Sequence, residues 1–167
     1  YNMLDVASDH LLYETQKVIS IYLDNLSKTS KIQTIWKLDP HPIKGNVPFK
    51  RNHIEKVKTE SSFRELLIRA SIVILDSPTT TLLEACTTTK PIFVYLPNQL
   101  KSETQEDIKK RAVIGNTPEE LVRKIDEYMK YGKYPADVSN REFLKKYGTH
   151  LDDGRSAERA VDFLLNI

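Results

Sequence analysis

The sequence predicts an α/β fold, a Rossmann-like parallel sheet with helices on both faces. Three observations carry this expectation. Short continuous apolar runs at 72–75 (IVIL) and 92–96 (IFVYL) are what a strand buried on both faces of a parallel sheet requires. Segments with helical apolar spacing alternate with such runs along most of the chain, the pattern that lays helices over a parallel sheet. Between the two runs, Asp76-Ser77-Pro78 turns strand into helix and Lys90-Pro91 ends the helix, so 71–96 reads as one strand–helix–strand unit.

Composition bounds the rest. A chain of 167 residues, 40% hydrophobic and 29% charged, can build one domain with its own core, and these proportions argue against a disordered or membrane-embedded class. The net charge of +2 makes no case for a nucleic-acid partner. One cysteine, Cys86, on an apolar helix face, speaks for neither a disulfide framework nor a metal cluster, and for a reducing, cytoplasmic setting. No apolar run approaches the ~20 residues that span a bilayer, and no signal-peptide pattern is present. Beginning at Tyr1 rather than Met, residues 1–167 read as a single domain cut from a longer, two-domain chain.

In chain order, Leu11, Leu12, Val18, Ile19, Tyr22, Leu23 and Leu26 fall at near-helical spacing behind a candidate N-cap, Ser8, which predicts a long helix over 8–26. Residues 33–38 (QTIWKL), β-branched and aromatic, read as a strand that Asp39-Pro40-His41-Pro42 stops. A loop over 45–52, with Lys44, Lys50 and Arg51 in or beside it, leads to a short strand over 53–58. Residues 61–70 form a short helix capped by Ser61 or Ser62, with Phe63, Leu66, Leu67 and Ala70 as its apolar face. Beyond the central unit come a polar segment with a helical piece around 103–111 and a third parallel strand at 112–114. Thr117-Pro118-Glu119-Glu120 then opens a helix that runs to about Tyr131, with an N-cap, proline at the first position and acid in the first turn. Residues 134–140 are irregular, and 141–147 and 157–165 are two more helical segments.

The central unit carries the candidate chemistry. Ser77 is a good N-cap, and Pro78 at the first helical position lacks an N–H that would be orphaned anyway. A helix N-terminus ringed by hydroxyls, at the carboxyl end of a parallel strand, is where α/β proteins bind phosphate. Ser77, Thr79, Thr80 and Thr81 are therefore candidates for a diphosphate cradle, set against the plainer reading of N-capping and solvated threonines. Three consecutive β-branched residues lose rotamer freedom with no packing gain in the open, which favours the cradle. Glu84 lies two turns beyond Ser77, on the helix face of Thr80 and Thr81, where its carboxylate could accept both hydroxyls of a ribose; the competing reading is a solvated glutamate paired with Lys90. Leu82, Ala85 and Cys86 belong to the core. His41, at a proline-flanked strand end, could stabilise a departing phosphate or serve as a structural turn residue.

The pattern ASIVILDSPTTTLLEACTTTKPIFVY resembles the C-terminal, donor-binding domain of GT-B-fold glycosyltransferases of bacterial surface-polysaccharide biosynthesis, and the related CDP-glycerol-type polymer transferases. His41-Pro42 matches a His-Pro turn upstream in those proteins, and Asp153-Gly154-Arg155 followed by Ser156-Ala157-Glu158-Arg159 matches a motif near their ends. The resemblance implies one half of a GT-B architecture that binds a nucleotide-sugar or CDP-polyol, with Glu84 on the ribose, His41 as the catalytic candidate and Arg111 beside the base. It implies a missing N-terminal acceptor domain, which would supply the catalytic base. The isolated chain would then be inactive, and the full-length protein would work in the cytoplasm or at the inner face of the membrane. No metal-ligand constellation is visible in the sequence, so no metal or other cofactor is expected and the helix N-terminus would neutralise the phosphate charge. Two other readings stay open: a non-catalytic Rossmann-like binding domain, and half of a UDP-sugar epimerase of GT-B-like fold.

Overall fold

The computed structural model describes residues 9–38, 50–58, 61–97, 100–149 and 151–166, with side chains from Leu12 onward. Helix α1 (Asp9–Thr29) leads into β1 (Thr34–Lys37) and β2 (Ile54–Val57). Then follow α2 (Phe63–Arg69), β3 (Val73–Leu75), α3 (Thr80–Cys86), β4 (Ile92–Tyr95), α4 (Ser102–Arg111) and β5 (Val113–Gly115). The chain closes with α5 (Pro118–Tyr131), α6 (Glu142–Tyr147) and α7 (Ser156–Leu165). All strand pairs are parallel, but the strands form two sheets, β1-β2 and β3-β4-β5, where the sequence reading expects one. Among the described residues no ladder joins them.

The apolar runs have the predicted consequence. In the three-stranded sheet, successive side chains alternate between two separate cores, because a strand points neighbouring residues to opposite faces. Val73, Leu75, Ile92, Val94, Leu96 and Ile114 pack on one face under α2, α3, α4 and α6, through Leu67, Leu82, Ala85, Cys86, Ile108, Phe143 and Leu144. Ile72, Ile74, Phe93, Tyr95 and Val113 point the other way, against Ile19 and Leu23 of α1 and Leu121 and Ile125 of α5. Helices therefore cover both faces of this sheet, and β4, buried at all four positions, is its centre. The β1-β2 sheet joins the second core through Trp36 and Ile54. Its placement rests on α1: Asp24 accepts the His53 amide at 2.8 Å, Ser27 meets Thr34 at 2.6 Å, and Gln16 reaches Asp76 beyond β3.

Helix starts follow their caps where the side chain reaches the backbone. Ser62 and Glu65 form a reciprocal capping box on α2, and the Thr117 hydroxyl accepts the Glu120 amide at 3.1 Å to open α5. Helix α5 ends at Gly132, whose φ of +67° is the left-handed cap that glycine adopts without strain. Helices α4, α6 and α7 begin without a side-chain cap bond, and so does α3, where the sequence reading expects one. The sequence reading opens it with Ser77 as cap and Pro78 as first residue, whereas it begins at Thr80 with Thr79 in the cap position and no side-chain cap bond. The Thr79 amide turns back onto the Ser77 carbonyl at 3.1 Å, which holds 76–79 outside helical geometry, and the Thr79 hydroxyl meets that of Thr81 at 2.9 Å instead of a backbone amide. Helix α7 is amphipathic yet buries no residue; Val161, Phe163, Leu164 and Leu165 are all exposed.

Candidate functional site

The carboxyl ends of β3, β4 and β5 deliver three loop starts: Asp76-Ser77, Leu96-Pro97 and Asn116-Thr117. Polar side chains gather at the first and third. Asp76 is half-buried; its carboxylate accepts Gln16 Nε2 at 2.8 Å and, more weakly, the Ser77 hydroxyl at 3.5 Å. Asn116 accepts from Gln105 of α4 at 3.3 Å through its side chain and donates its backbone amide to Glu120 at 2.8 Å.

Of the predicted site residues, Ser77, Thr79, Thr80, Thr81 and Glu84 are brought together by one short loop and one helix. Thr79 and Thr80 are exposed, Ser77 and Thr81 half-buried. Glu84 lies four residues after Thr80 and three after Thr81, so it shares their side of α3, and it is exposed. Lys90, the partner weighed for it in the sequence, instead donates to the Ile68 carbonyl at 3.3 Å. The loop thus presents hydroxyls and a carboxylate to solvent beside a helix start with no side-chain cap, an arrangement able to donate to an anion and accept from sugar hydroxyls.

Arg111 is elsewhere. It ends α4, is fully buried, and donates from Nη2 to the carbonyls of Thr88 at 2.7 Å and Lys90 at 2.9 Å. Those carbonyls precede β4, so Arg111 stands at the amino edge of the sheet, opposite the threonine loop; the expected place beside a nucleotide base is corrected to a structural one. The predicted helix over 103–111 leading into a parallel strand at 112–114 already implies this place, because a helix that returns the chain to a parallel strand ends at the amino edge. Burial holds its guanidinium below its ordinary pKa, and the same burial pushes the Cys86 thiol up. Tyr134, in the stretch that the sequence predicts to be irregular, joins Arg111 there. Its hydroxyl accepts the Ile92 amide and donates to the Ile92 or Arg111 carbonyl, each at 3.0 Å.

His41 and Lys44 lie outside the described residues. Arg51 donates to the Ser20 hydroxyl of α1 at 3.1 Å. Arg155 and Arg159 pair locally with Glu158 at 2.7 Å and Asp153 at 2.8 Å, as their position beside the last helix suggests. Among the described residues no three His, Cys, Asp or Glu side chains converge to hold a metal ion, and no helix is long and apolar enough to cross a membrane. A cavity of about 720 Å³ lies along the outer edge of β5, away from the threonine loop, and none of Ser77, Thr79, Thr80, Thr81 and Glu84 lines it.

No family model, no curated protein and no solved structure matches this chain. The functional reading therefore rests on the residues themselves.

Proposed function

We propose that this chain is a Rossmann-like donor-binding domain, half of a GT-B architecture, in a transferase of surface-polysaccharide biosynthesis. The carrying observation is the grouping of Ser77, Thr79, Thr80, Thr81 and Glu84 on one solvent-facing loop and helix at the carboxyl end of β3. Backbone amides and hydroxyls of the loop would hold the diphosphate of a nucleotide-sugar or CDP-polyol, and Glu84 would take the ribose hydroxyls. In the reaction, an acceptor hydroxyl oxygen forms the new bond to the activated carbon or phosphorus, and the bond to the nucleoside diphosphate or monophosphate breaks. The acceptor proton goes to a base of the partner domain, and His41 steadies the departing phosphate. The full-length protein would act in the cytoplasm or at the inner face of the membrane.

Titration with UDP, CDP, GDP and their sugar or polyol conjugates, read on the amide resonances of Ser77 and Thr79 to Thr81, tests the proposal. Selective shifts are expected; silence with all of them at about millimolar levels would remove the nucleotide reading. Glu84→Gln should weaken the best nucleotide by roughly 1–3 kcal/mol, the worth of charge-assisted hydrogen bonds. Unchanged affinity removes Glu84 from the site.

A further inference from the structure

Strand β5 is the last strand of its sheet among the described residues, and an edge strand carries backbone groups on its outer side that could pair with another chain. The alternation of the strand identifies them. The Gly115 carbonyl accepts the Leu96 amide at 2.9 Å and so faces β4; Ile114 and Asn116, one residue to either side, direct their backbone groups outward. One outward group at each position is met by a side chain of one helix. Lys124 Nζ donates to the Ile114 carbonyl at 2.7 Å, and Glu120 accepts the Asn116 amide at 2.8 Å. The two side chains are themselves paired at 2.7 Å, one turn apart on α5, and each is less than a third exposed.

The space beside this edge is open. The cavity of about 720 Å³ runs along Ala112, Val113 and Ile114 and is walled by Tyr128, Tyr131 and Ala136. With strands ~4.8 Å apart, sheets ~10 Å apart and ~3.3 Å per residue, such a volume accommodates about four residues of extended chain. The space for a fourth strand exists, and two of the backbone groups it would need, the Ile114 carbonyl and the Asn116 amide, are occupied.

We propose that Glu120 and Lys124 form a latch that closes the outer edge of β5 to strand addition, and that the strand it excludes is β5 of a second copy. Two copies related by a two-fold axis would bring the same three-residue edge against itself, antiparallel, and satisfy Ile114 and Asn116 by mutual backbone bonds. The latch pre-empts, within one chain, those of the bonds that run from the Asn116 amide to the Ile114 carbonyl.

The test compares Glu120→Ala/Lys124→Ala with Arg123→Ala/Glu127→Ala. Each removes one ion pair from α5, leaves the net charge unchanged and installs the best helix former, but only the first uncovers β5. Light scattering over a wide concentration range should show the first variant associating beyond the unaltered chain, and the second matching it. In the associated form, exchange of the Ile114 amide should slow about tenfold, since it would gain a backbone partner. A folded first variant that keeps the native mass overturns the proposal; so does association of both variants alike, or association without protection at Ile114. Should the double variant fail to fold, Lys124→Met, which frees only the Ile114 carbonyl, is read the same way.

Discussion

Tyr134→Phe isolates a single hydroxyl with three backbone partners. The Tyr134 oxygen accepts the amide of Ile92, a residue with 0% exposure, and its proton goes to the Ile92 or Arg111 carbonyl, all at 3.0 Å. The ring packs edge-on against Phe93 at 5.8 Å and Tyr128 at 6.0 Å, contacts that phenylalanine keeps. What is lost is polar. An orphaned buried amide costs about 1–3 kcal/mol and the donated bond about 1 kcal/mol more, so the substitution should destabilise the chain by roughly 2–4 kcal/mol. Urea unfolding gives the midpoint and slope; the midpoint should fall while the slope, set by the surface exposed on unfolding, stays the same. Hydrogen exchange of the Ile92 amide should accelerate in parallel. A loss below about 0.5 kcal/mol, within the range of an ordinary surface change, would refute the assignment of Tyr134 as the clamp between the starts of β4 and β5.

Gly115→Ala should destabilise by about 1–3 kcal/mol in thermal unfolding, because the added methyl would stand 2.5 Å from Leu121 Cβ and 2.6 Å from its Cα, so the end of β5 and the first turn of α5 must separate. Arg111→Ala should cost about 3 kcal/mol by emptying a buried site and orphaning the carbonyls of Thr88 and Lys90. It should leave nucleotide affinity of the folded chain unchanged; a selective loss of affinity would return Arg111 to the site. Lys124, together with the Asn116 amide, depresses the Glu120 carboxyl from 4.5 to about 2. A depressed carboxyl pKa stabilises the fold above its unfolded value, so this contribution is complete above about pH 4.5 and is lost as pH falls towards 2. Glu120→Gln should flatten the unfolding free energy against pH across that window, and an unaltered slope would show that other carboxylates set it.

The elements were largely legible because their signals are local. Thr117-Pro118-Glu119-Glu120 opens α5 where cap, proline and acid all agree, and the runs at 72–75 and 92–96 contain β3 and β4. The start of α3 was not legible, since Ser77-Pro78 carries the stronger local opening signal and the outcome falls to a backbone bond between Thr79 and Ser77. The separation into two sheets was hidden because apolar runs reveal strands but not their neighbours. For the candidate site, Thr80, Thr81 and Glu84 share a face by helical periodicity alone. The place of Arg111 at the amino edge follows from the predicted order of helix and parallel strand over 103–114, whereas Tyr134 meets Ile92 and Arg111 through a long-range contact that no window of sequence contains. In the sequence Asp76 reads only as a strand terminator, and its contact with Gln16 spans sixty positions of chain.

Helix α1 has a consequence for how the molecule comes apart. It touches β1 and β2, packs on α5 and reaches Asp76 beyond β3, while the two sheets share no ladder among the described residues. The two-stranded sheet is too small to persist in water on its own. Its ordering is therefore tied to α1 and to the core that Trp36 and Ile54 enter, and α1, β1 and β2 are expected to open as one cooperative unit. Amides of Trp36 and Val57, which face the partner strand, should exchange with the same opening free energy as those in the middle of α1, below that of β4. A perturbation at Leu23, on α1 and in neither strand of the second sheet, should release that whole layer at once rather than fraying it from an end.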